Sequence, residues 1–99
     1  MVRINWTKLS VEDLKSIAVY ISRDSKKYAK IQVQRLKFRT QILKSQSRSG
    51  RVVPEIENPD IRELIEGNYR IIYKIVSKEQ IDILTVHHSS RDLARRNIE

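Results

Sequence analysis

Three short stretches of this sequence hold side chains that could do chemistry together. VVPEIE sets Glu55 behind a proline, GNYRIIY puts Arg70 inside an apolar run, and VHHSSRD closes another apolar run with His87 and His88. Arginine stays protonated and offers a fork of donors that suits phosphate oxygens and the charge growing on a pentacoordinate phosphorus. Histidine titrates near neutrality and can hand a proton to a leaving oxygen. Cleavage of RNA through its own 2′-hydroxyl asks for a base, an acid and stabilisation of the phosphorane. Glu55 is the carboxylate placed to be the base: Pro54 stiffens its backbone, and Arg51 and Arg62 lie on either side in sequence.

Each residue also has a plainer role. Arg70 on a half-buried strand would serve as an ion-pair partner for Glu63 or Asp82, and the histidines would simply end a strand. Tyr69 and Tyr73 read as sheet core before they read as base-stacking platforms. Adjacent histidines on a strand point to opposite faces and chelate poorly, so no metal is expected. No phosphate-binding glycine loop or nucleophile elbow is present, and no cofactor is expected.

The elements that must position these residues follow from periodicity. VRINW alternates as a short strand, and a helix starts after Thr7 or Ser10, with Leu14, Ile17, Ala18 and Ile21 on one face. Asp24-Ser25 breaks it and caps a second helix that runs to about Lys44. Its stripe is imperfect: Tyr28, Ile31 or Gln32, Arg35 or Leu36, Phe38 or Arg39, then Ile42 and Leu43. Residues 45–60 read as one long loop, rich in serine with one glycine and two prolines, and loops of that length are usually functional or mobile. Strands follow at about 61–66, 69–76 and 81–88, with Gly67-Asn68 as a two-residue hairpin turn and Lys78-Glu79-Gln80 as the next turn. RDLARRNIE reads as a short helix or a frayed end. The expectation is one α+β domain over residues 1–99, of order β-α-α-β-β-β, with a small, largely antiparallel sheet and a helical hairpin on one face.

The last hairpin's register decides which histidine meets Arg70. A three-residue turn at Lys78–Gln80 puts Arg70 opposite His88 and segregates apolar from mixed residues, so it is preferred. A turn one residue shorter or longer puts Arg70 opposite His87 and moves Asp82 onto the face of Ile71, Tyr73 and Ile75.

The chain has 99 residues, 39% hydrophobic and 32% charged, with no cysteine, so disulfides and thiolate metal sites are excluded. No apolar run approaches the ~18 residues of a membrane span, and the opening MVRINWTKLS lacks a signal peptide's core. A cytoplasmic protein without a membrane partner is expected. Net charge is +8 with a pI near 10.1, and between Arg23 and Arg51 ten cations stand against one acid, Asp24. Such a field steers polyanions or an acidic protein partner.

Taken together, GRVVPE, IRELIEGNYRIIYKI and IDILTVHHSSRDL, with the opening from Trp6 to Ile21, resemble the RelE/ParE superfamily of toxins from type II toxin–antitoxin modules. The resemblance implies the β-α-α-β-β-β fold and a cognate antitoxin whose acidic or amphipathic tail wraps the basic surface. It also implies one of two activities. The first, and the one expected here, is ribosome-dependent cleavage of mRNA, with Glu55 as base, Arg70 as phosphorane clamp and His88 as acid. Arg51, Arg62, His87 and Arg91 would then hold RNA. The alternative is inhibition of DNA gyrase without hydrolysis, which the continuation SSRDLARRNIE resembles.

Overall fold

The computed structural model describes residues 2–91 and 93. The order is β1 (Arg3–Trp6), α1 (Lys8–Ser22), α2 (Lys26–Arg39), a 3-10 turn (Thr40–Lys44), β2 (Arg51–Val52), β3 (Ile61–Glu66), β4 (Tyr69–Ile75) and β5 (Gln80–His88). The strands form one sheet in the order β1-β5-β4-β3-β2. β1 runs parallel to β5, and the other pairs are antiparallel. This is the α+β fold expected, with one strand more.

Local chemistry sets the helix starts. Thr7 caps α1 by accepting from the Ser10 amide, and Ser25 caps α2 by accepting from the Tyr28 amide. Between the helices and the sheet lies the main core, built on Leu14, Leu36, Leu43, Tyr73, Ile81 and Ile83. Along α2 the buried positions are Ala29, Gln32 and Leu36, with Leu43 on the 3-10 turn. Tyr28, Phe38 and Ile42 of the expected stripe are exposed instead, and of the alternatives it offered Gln32 and Leu36 are the buried ones. Phe38 is 80% exposed.

The stretch 45–60 is not one loop. Arg51 and Val52 pair with Glu63 and Arg62, adding an edge strand to the sheet. Gly50 makes that possible, because a Cβ there would stand 2.5 Å from the Glu63 carbonyl oxygen and 2.7 Å from the Tyr73 hydroxyl. The Gly50 amide donates to that hydroxyl, which donates in turn to the Ser47 carbonyl. Tyr73 is thus core, with its polar end anchoring the loop. Beyond β2 the chain turns over the face of the sheet away from the helices. Val53 and Ile56 there join Ile61, Ile72, Leu84 and Leu93 in a second, smaller apolar cluster.

The β4–β5 register differs from the preferred one. Gly67, at φ +58°, makes the expected tight turn into β4, whereas the next turn spans residues 76–79. Pairing runs Ile75 with Ile81, Lys74 with Asp82 and Tyr73 with Ile83; a bulge then shifts it, so that Ile72 meets Thr85, Arg70 meets His87 and Tyr69 meets His88. One extra residue on β5 absorbs the shift. It keeps Ile81 and Ile83 on the apolar face with Tyr73 and still turns His87 toward the face of Arg70. Asp13 of α1 holds the bulge: its carboxylate accepts from the Thr85 hydroxyl and from the Val86 amide. The tail from residue 91 lies outside the described residues except for Arg91 and Leu93. Among the described residues, no helix is long and apolar enough to cross a membrane.

Candidate functional site

Arg70 projects from the middle strand onto the sheet face away from the helices, beneath the turn that carries Glu55. Its Nη1 and Nη2 donate to the two carboxylate oxygens of Glu55 at 2.7 and 2.9 Å. Its Nε and Nη2 donate to Glu63 at 2.6 and 3.0 Å. Glu63, whose side chain is wholly buried, also accepts from Arg51 Nε at 3.1 Å. Two arginines and two glutamates therefore form one closed network. A buried charge is tolerated only when paired and hydrogen-bonded, and here every partner is present.

That geometry sets the electrostatics. The Arg70 hydrogen bonds, and behind them the charges of Arg70 and Arg51, lower the Glu55 carboxyl from 4.5 to about 2, against a smaller opposing push from burial. Glu55 and Glu63 together raise the Arg70 guanidinium still further above its ordinary value. A carboxylate so acidic, with both oxygens engaged, is a weak proton acceptor near neutrality. The guanidinium edges that would cradle a phosphorane are filled by carboxylates.

The other candidates are dispersed. His88 lies on the helix side of the sheet, edge-on to the Tyr69 ring with centroids 5.3 Å apart. Its Nδ1 accepts from the Ser90 amide at 3.1 Å and contacts the Ser90 hydroxyl. Arg91 is exposed beside it, lining the same groove. His87 shares the Arg70 face but is buried, and its Nε2 donates to the Arg91 carbonyl at 3.0 Å. Arg62 spends its donors on the carbonyls of Pro59, Arg48 and Gly50, which staples the loop. So Glu55, Arg70 and Arg51 come together, while His88 and Arg91 gather on the opposite side of the sheet. Among the described residues no group of three or more His, Cys, Asp or Glu could hold a metal ion.

The family model for the ParE toxin of type II toxin–antitoxin systems, parDE, matches residues 4–93. The chain belongs to that family. Its fold is similar to a chain titled chromosomal ParDE TA system from P. aeruginosa, at 23% identity and a TM-score of 0.72, covering 89% of this chain and 96% of that one. At that identity the likeness speaks for the fold. No curated protein sequence matches it.

Two residues of this ParE-family toxin have roles their local sequence does not announce. Glu63 sits in the apolar stretch IRELIE as a candidate ion-pair partner, yet it is the centre of the network, reached by both Arg51 and Arg70. Asp13 lies near the start of α1, yet it reaches across to β5. The pairing of Arg51 with Glu63 across β2 and β3 was the missing signal for the first, and nothing local signals the second.

Proposed function

We propose that this ParE-family toxin inhibits DNA gyrase by binding it, with no hydrolysis of its own. The observation that carries the reading is the Glu55–Arg70–Glu63 network. It engages the base and the clamp that an endoribonuclease would need with each other, and the expected acid, His88, lies on the other side of the sheet. Family membership supports the same reading, because the ParE branch of the superfamily resemblance is the gyrase-directed one. Its action then belongs in the cytoplasm, with the DNA.

A cognate antitoxin is the second partner of this reading. An apolar groove of about 410 Å³ runs along the helical hairpin between Trp6, Val11, Leu14, Ala18 and Val33, with Lys15 and Lys37 beside it. Apolar walls with a cationic rim suit an amphipathic segment that carries acidic side chains. The test is a gyrase supercoiling assay run beside a reconstituted translation reaction with a mapped reporter message. Blocked supercoiling with an intact message is expected. A message cut within ribosome-occupied codons, with supercoiling untouched, would return the function to RNA.

A further inference from the structure

A second groove, of about 680 Å³, lies on the helix side of the sheet between α1 and the ends of β4 and β5. The charge network does not use it, and it shares only Lys15 with the antitoxin groove. Its walls combine cations from two parts of the fold, Lys15 of α1 with Arg23 at its C-cap and Arg91 after β5, with the rings of Tyr20, Tyr69 and His88. Tyr20 is 69% exposed. The hydroxyl of Tyr69 is raised by burial, with Tyr28 and Tyr20 adding to the rise and Arg91 opposing it, so these groups share one neighbourhood.

The polar inventory favours a phosphate-bearing guest. His88 accepts at Nδ1, so its neutral ring carries the proton on Nε2, which has no hydrogen-bond partner among the described residues. Lys15, Arg23 and Arg91 form no ion pair with any described carboxylate. Asp13, the acid in the wall, is engaged by Thr85 and the Val86 amide. Positive charge, a spare donor and aromatic faces in a concave groove are what unpaired nucleotides use: bases stack on rings while phosphates meet guanidinium groups. A duplex would keep its bases out of reach of Tyr69 and His88. An acidic peptide needs the cations but not the rings.

We propose that this groove binds a short segment of single-stranded DNA, with Tyr20 and Tyr69 stacking bases and Arg23 and Arg91 holding phosphates. The choice of DNA over RNA rests on the gyrase reading; the groove chemistry does not. The toxin would then contact both the enzyme and a strand exposed while that enzyme works.

The test is fluorescence anisotropy of the full chain with a labelled DNA single strand of about 12 nucleotides at low salt. Tyr20→Ala and Arg23→Ser should each weaken binding about tenfold. Lys78→Ser and Val76→Ala, in the turn at the far end of β4 and β5, should change it less than about twofold. All four positions are exposed, so the fold should persist, and circular dichroism checks that. The proposal is overturned if the strand does not bind or if the groove variants bind as wild type does. It is equally overturned if the duplex or oligoglutamate binds as well as the DNA strand. The mixture contains no gyrase, so failure here leaves the supercoiling result standing. Strand binding without inhibition of supercoiling would sink the gyrase reading instead.

Discussion

The two sides of this small sheet treat positive charge in opposite ways. On the side away from the helices, Arg51 and Arg70 are tied to Glu55 and Glu63, and nearby Arg48 is tied to Asp60. On the helical side, the seven cations from Lys26 to Lys44 form no ion pair with a described carboxylate, and Phe38 stands exposed among them. The first arrangement holds a loop on a sheet that has only a thin second core. The second leaves charge free for partners, at some cost in self-repulsion. Arginines that look catalytic by position can thus be architecture.

The largest effect that would break this contrast lies at Arg70. Arg70→Ala strips Glu63 of one of its two partners in a fully buried site, and removal of one member of a buried pair costs about 3–5 kcal/mol. Urea unfolding should show a loss of unfolding free energy of that scale; a loss under ~1 kcal/mol would mean the network is not structural. Next comes Gly50→Ala, where the new methyl meets the Glu63 carbonyl and the Tyr73 ring and should cost about 1–3 kcal/mol by overpacking.

Glu55→Gln should be milder, near ~1 kcal/mol, because the Glu55 side chain is 34% exposed and solvent screens part of the attraction. The pH dependence gives its sign. The folded carboxyl is depressed from 4.5 to about 2, so its contribution is fully present above the unfolded value and fades as pH falls through that window. The stability gap between wild type and Glu55→Gln should therefore narrow between pH 4.5 and about 2. A gap that stays constant would show that the ion pair adds nothing. The smallest effect belongs to the helical side: Lys30→Ser should leave the unfolding free energy within about 0.5 kcal/mol of wild type while the salt dependence of polyanion binding weakens.

Much of the frame was legible from local chemistry. Thr7 and Ser25 announce the helix starts, and Gly67-Asn68 announces the tight hairpin. Arg70 in an apolar strand marked an ion pair, and of its two candidate partners it is Glu63 rather than Asp82 that pairs with it; Glu55, expected as a base, joins the same cluster. What escaped depends on contacts distant in sequence. A two-residue strand such as Arg51–Val52 has no period to detect, and its place depends on Gly50 fitting against Glu63 and Tyr73. The bulge in β5 is held by Asp13, 72 residues away, and it turns His87 rather than His88 toward Arg70. On α2 the polar Gln32 is buried and the aromatic Phe38 is exposed, so hydrophobicity alone points the helix the wrong way.

The central claim is that the Glu55–Arg70 pair is architecture rather than catalytic machinery. It is tested most directly by inhibition of gyrase supercoiling by purified Glu55→Gln, beside wild type and with folding verified. The account predicts inhibition at the wild-type concentration. A folded Glu55→Gln protein that has lost its inhibitory activity would contradict it and place Glu55 in the functional site after all.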